Sequence, residues 1–160
     1  MDRRELLGAF GAAAGLLAVG GVDARADDEK EHHHHMDKTH EECQKACDEC
    51  AKVCNMTAHH CLDKICEGVG PVKRHAKAHS LTMDCQAFCN LSSALIARSS
   101  DLMAYSCEAC AEACRCCAEE CEKAEADAMM QRCAKVCRDC ERSCREMVRT
   151  MKAGTKVGAR

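Results

Sequence analysis

From Asp37 onward the apolar positions recur at alternating steps of four and three residues, and most of them are cysteine. The element C-x3-C-x2-C-x3-C occurs at Cys43, Cys47, Cys50, Cys54; at Cys110, Cys114, Cys117, Cys121; and at Cys133, Cys137, Cys140, Cys144. Such steps return to one side of a helix, so each run predicts a helix carrying its sulfur on a single inward stripe. Cys61 prolongs the first stripe, Cys107 precedes the second run by three residues, and Cys85 with Cys89 form a shorter stripe between them. The intervening residues are rich in Ala, Glu, Lys, Met and Arg, which favour helix.

Breakers and capping residues then set the boundaries. A first helix is expected from about Asp37 to Glu67, stopped by Gly68, Gly70 and Pro71. The second should run from about Lys73 to Arg98, closing at Ser99-Ser100. A third, capped by Ser100 or Asp101, should reach about Ala124, and a fourth, capped by Asp127, should end before Gly154. Connections this short make successive helices antiparallel neighbours. The expected fold class is therefore all-α, an up-down-up-down antiparallel four-helix bundle with a cysteine-lined core, spanning 37–152 and followed by a tail, 153–160. Helices of about 25 residues would make it roughly 37 Å long.

The N-terminal pattern is different. Residues 1–26 read as an export signal: Arg3-Arg4, a Gly/Ala/Leu run from Leu6 to Val22, and Ala24-Arg25-Ala26 as a small-x-small cleavage site. Paired arginines before a weakly hydrophobic run resemble a twin-arginine signal, with a Sec signal as the alternative. The run is shorter than the roughly 20 apolar residues that span a bilayer, so no membrane insertion is expected once the leader is removed. The mature chain should begin near Asp27 and reside in the periplasm. Residues 27–36, charged and containing His32 to His35, read as a mobile arm that could capture Cu(II) or zinc.

Composition narrows the chemistry. Eighteen of 160 residues are Cys, and Phe10, Phe88 and Tyr105 are the only aromatics, the signature of a disulfide scaffold or a metal-thiolate protein. With no Trp and one Pro, an aromatic-rich β-sandwich or barrel is excluded. The net charge of −3 supplies no basic field for nucleic acid. Nor does a Ser/His/Asp set, a Gly-rich phosphate loop or a pair of acid/base carboxylates stand out, so no enzymatic reaction is expected.

Disulfides throughout the core conflict with geometry, because cysteines on one stripe point the same way and bundle axes lie 8 to 10 Å apart. Cys66 and Cys116, off the stripes, are the residues open to adventitious bridging. Structural zinc usually takes C-x2-C in a turn, whereas here the pairs are mid-helix. The C-x2-C-x2-C-x3-C-P run of ferredoxins is absent. Cu(I) fits best, being soft and satisfied by two or three sulfurs. Thiolates shared at near one copper per cysteine leave a neutral core, which avoids the cost of buried charge.

With these residues in view, the chain resembles the exported branch of the four-helix-bundle copper storage proteins. The resemblance covers about Asp37 to Lys152 and rests on the three cysteine stripes and the leader. It implies many Cu(I) ions held without catalysis on Cys43, Cys47, Cys50, Cys54, Cys61, Cys85, Cys89, Cys107, Cys110, Cys114, Cys117, Cys121, Cys133, Cys137, Cys140 and Cys144. Helix two is thin in sulfur: Ser92 and Ile96 take its next stripe positions, and Leu81, Phe88, Leu91 and Leu95 should supply conventional packing.

Past the last cysteines, the stripes meet Met36, His40, Met103, Met147 and Met151, all at one end of an antiparallel bundle. They read as a port for ligand exchange, with ordinary core filling as the alternative. His59, His60, His75 and His79 fall near the other end and read as solvated surface residues. The expected partners are copper ions and a protein that donates or accepts copper, with oligomerisation left open. The competing function is an exported thiol-rich protein for zinc or heavy-metal detoxification or redox buffering.

Overall fold

A computed structural model of the chain describes residues 38–157, with the side chains of residues 38–153. The leader, the His32 to His35 arm and Met36 lie outside the described residues. Four helices follow in order: α1 (Lys38–Glu67), α2 (Val72–Ala97), α3 (Met103–Glu122) and α4 (Ala128–Val157). Each packs on its two neighbours in the cycle α1, α2, α3, α4, and no diagonal pair of backbones meets. This is the up-down-up-down bundle expected from the short connections. Among the described residues, no helix is long and apolar enough to cross a membrane.

The turns follow from local chemistry. Gly68 leaves α1 with φ +65, the Val69 amide donates to the Lys64 carbonyl at 3.1 Å, and Gly68 donates to Ile65 at 3.2 Å, a glycine C-cap. Ser99 plays the same part after α2 at φ 49, with the Ser100 amide donating to Leu95 at 3.0 Å. Asp127 caps α4 as expected, since one carboxylate oxygen accepts from the amides of Met129 and Met130, both at 3.1 Å.

Three expectations need correction. The residue before α3 is Leu102, without a side-chain cap, and the Ser100 hydroxyl accepts only from the Leu102 amide at 3.3 Å. Helix α4 does not stop before Gly154 but continues to Val157, because glycine in a helix costs only about 1 kcal/mol and removes no hydrogen bond. On α2, Leu95 is buried and Leu81 half-buried, but Phe88 and Leu91 stand exposed rather than packing the core. The inward face of α2 is taken instead by Ala78, Thr82, Cys85, Cys89, Ser92 and Ile96.

Outside the core, charge is dense and locally paired. Arg115 bridges Glu112 and Glu119, Arg138 bridges Glu122 and Glu141, and Lys152 ties the end of α4 to Glu108 on α3. Exposed pairs of this kind contribute about 0.3–0.5 kcal/mol each, so the bundle's cohesion rests on its interior.

Candidate metal centre

All sixteen stripe cysteines are 0% exposed and reduced, and together they form the axis of the bundle. Because a cysteine side chain is short, sulfurs from diagonally opposite helices meet where the backbones do not. Near mid-bundle Cys50 of α1 lies 3.8 Å from Cys114 of α3, and Cys85 of α2 lies 4.0 Å from Cys137 of α4. The same four close laterally, with Cys50 to Cys137 at 3.7 Å and Cys85 to Cys114 at 3.6 Å. Every helix thus supplies one sulfur to this layer.

Neighbouring layers reuse these atoms. Sulfurs of Cys50, Cys85, Cys89 and Cys114 lie mutually within 4.8 Å, as do those of Cys50, Cys54, Cys85 and Cys137, of Cys54, Cys117, Cys133 and Cys137, of Cys89, Cys110, Cys114 and Cys140, and of Cys47, Cys110, Cys140 and Cys144. Tetrahedral zinc with bonds of about 2.3 Å would want sulfurs about 3.8 Å apart, so distance alone accommodates it. Sharing decides against it. Closing one four-sulfur zinc site takes sulfur from the next, and each isolated site would leave buried negative charge. An ion content with two or three thiolates, bridged from one layer to the next, uses every atom.

The thiols form a continuous hydrogen-bonded chain. Cys50 is held well below the ordinary thiol value by its hydrogen bonds with Cys114 and Cys137, and Cys110 and Cys133 are lowered in the same way. Their partners are raised: Cys114 by its bonds to Cys110 and Cys140, and Cys137 by its bonds to Cys117 and Cys133. Thiolate is the form that binds metal, so loading displaces the protons these thiols share.

The two ends of the tube differ. At one, Cys43 lies 3.8 Å from Cys144 and is lowered by its hydrogen bonds with Cys107 and Cys144. One turn further out, Met103 on α3 and Met147 on α4 are buried, and beyond them Met151 and His40 are half-buried. Met103, Met147, Met151 and His40 thus lie at one end with graded exposure. At the other end the histidines are not the solvated group expected. Only His59 is well exposed. His60 binds Asp127 at 2.8 Å, His79 binds the Ala58 carbonyl at 2.9 Å, and His75 is 5% exposed with its ring 6.1 Å edge-on to His60. Burial of one stripe histidine and the reach of Asp127 from the start of α4 draw them in. Asp127 also acts on the tube: burial first, then its negative charge, push the Cys61 thiol up to about 11.

A scan against protein-family models matches residues 30–149 to Csp, copper storage protein. The chain belongs to the copper storage protein family. Among solved structures, the Cu(I)-bound copper storage protein BsCsp3 of Bacillus subtilis is 30% identical, with a TM-score of 0.62 over 69% of this chain and 99% of that one. A protein from Nitrosospira multiformis is 32% identical, TM-score 0.61, covering 71% of this chain and 98% of its own. The copper storage protein Ccsp from Streptomyces lividans, loaded with 10 copper equivalents, is 27% identical, TM-score 0.63, covering 72% of this chain and 88% of its own. A comparison with curated proteins finds no match.

Within this copper storage fold, Cys66 is exposed and Cys116 half-buried, so neither joins the tube. Sequence reasoning missed three tube-lining positions. Thr57 and Thr82 are fully buried, each donating its hydroxyl to a carbonyl of its own helix, Val53 and His79, at 2.9 Å. Met130 is also fully buried. Extending the α4 stripe three residues back from Cys133 would have found it, whereas the threonines carried no signal beyond register.

Proposed function

We propose that this copper storage protein holds multiple Cu(I) ions on the thiolates of its core, for buffering or supply and without catalysis. The observation that carries the reading is the sharing of core sulfurs between successive layers: Cys50, Cys85, Cys114 and Cys137 each belong to two four-sulfur groups. The sixteen stripe cysteines are the ligands in this reading, and Cys66 and Cys116 are not. Met103, Met147, Met151 and His40 form the port, with Met36 preceding them in sequence. Thioether and imidazole bind Cu(I) without neutralising its charge, so an ion held there passes readily to Cys43, Cys107 and Cys144.

Anaerobic titration of the reduced chain with Cu(I), read by metal analysis after desalting, tests storage. Uptake should continue to roughly one ion per core cysteine, where zinc would stop near one per four. Saturation at about four Cu(I) would refute the reading.

The store is further proposed to be exported before it works, on the strength of Arg3-Arg4, the apolar run and Ala24-Arg25-Ala26. Replacing Arg3 and Arg4 by Lys should leave the chain unprocessed inside the cell. Undiminished release of a product starting near Asp27 would assign the leader to the Sec route.

A further inference from the structure

The Asp127 end of the bundle carries a second set of side chains able to ligate metal, none of them sulfur. His60 comes from near the end of α1, His75 from the first turn of α2, and Asp127 from the residue that caps α4. All three line a cavity of about 480 Å³, at whose rim the exposed Arg74 and Glu125 bring opposite charges. His75 is only 5% exposed, yet its Nδ1 has no hydrogen-bond partner. A buried polar atom left unpaired loses its hydration without return, so it marks a place where a ligand belongs. The His60 ring stands edge-on to it, centroids 6.1 Å apart and planes at 79°, and His60 Nε2 lies 2.8 Å from Asp127 Oδ2. Asp127 is itself held in place. Its Oδ1 accepts from the Met129 and Met130 amides at 3.1 Å, which leaves Oδ2 for the cavity.

We infer that His60, His75 and Asp127 bind one divalent cation of the zinc class, outside the sulfur tube. Imidazole nitrogen and carboxylate oxygen are donors that suit Zn(II), whereas Cu(I) prefers thiolate. The spacing fits as well. Bonds of about 2.0–2.1 Å to a tetrahedral ion put ligand atoms about 3.3 Å apart and two imidazole centroids about 5–6 Å apart. The ion therefore enters by parting His60 from Asp127 by about 0.5 Å, with a small swing of His75. Water completes the fourth position. The sharing that decides against zinc in the tube does not arise here, because these three donors serve no neighbouring site. One ion so placed ties α1, α2 and α4 together at this end.

The test fills the full chain with Cu(I) anaerobically, so that its thiols are occupied, then adds Zn(II) and desalts. Metal analysis should find about one zinc per chain above an unchanged copper content. The copper content reports on storage separately, so failure of one reading is not failure of the other. Zinc-edge X-ray absorption should show nitrogen and oxygen neighbours at about 2.0–2.1 Å and no sulfur at about 2.3 Å. Asp127→Asn keeps the helix cap, and His60→Gln alters a partly exposed side chain, so circular dichroism should show both variants folded. Each should weaken zinc binding at least about 100-fold while copper content stays intact. Loaded protein that retains no zinc, zinc held through sulfur, or zinc retained equally by both variants would overturn the inference.

Discussion

Loading with Cu(I) should raise the melting midpoint by at least about 20 °C. The apo bundle has a weak core for its length: its axis is cysteine, which buries less apolar area than leucine, and its largest fully buried side chains are Ile96, Met130, Met147 and Val53. It should nonetheless be helical at room temperature, since the stripes, caps and loops all specify the same four helices. Each metal bound to the folded state about 100-fold above its dissociation constant adds about 2.7 kcal/mol, and a domain of this size gains about 3 to 5 °C per kcal/mol. Three such ions already exceed 20 °C.

The gap should widen at high pH. Cys61 has its pKa raised from 9.0 to about 11, so the fold favours its neutral thiol; that contribution is complete below pH 9 and is lost as pH rises towards 11. About 2 kcal/mol of apo stability goes with it. Loaded protein, whose thiols are already deprotonated, should change little. Far-UV circular dichroism melts of both forms at pH 7, 9 and 11 provide the measurement, and coincident apo and loaded midpoints would contradict the linkage.

Changing Met103, Met147 and Met151 to Leu should slow copper entry and release about tenfold while leaving capacity almost intact. Met103 and Met147, both buried, and the half-buried Met151 stand between solvent and the Cys43, Cys107 and Cys144 thiols. Leucine matches methionine in volume, so each swap should cost under about 1.5 kcal/mol and the bundle should survive. What disappears is a sulfur that stabilises copper in transit. A lost contact of about 1.4 kcal/mol in the limiting transfer step corresponds to tenfold in rate. Stopped-flow loading and transfer to a small chelator resolve both directions. Rates equal to wild type would make these methionines core filling and place the entrance elsewhere, the Asp127 end being the other end of the tube.

The linear pattern was sufficient for the bundle, its helix order and all sixteen buried sulfurs, because a residue's side of a helix depends only on the 3.6-residue period. Capping by Asp127 and termination at Gly68 were equally legible, being contacts between near neighbours in sequence. Other features depended on which helices sit side by side. No period reveals that Cys50 meets Cys114 across the diagonal, that layers share their sulfurs, or that His60 reaches Asp127 from 67 residues away. The outward turn of Phe88 and Leu91 escaped the pattern for a related reason. On a helix whose apolar residues are spread around its circumference, hydrophobicity cannot say which side faces in, and here the sulfur of Cys85 and Cys89 settled it by joining the tube.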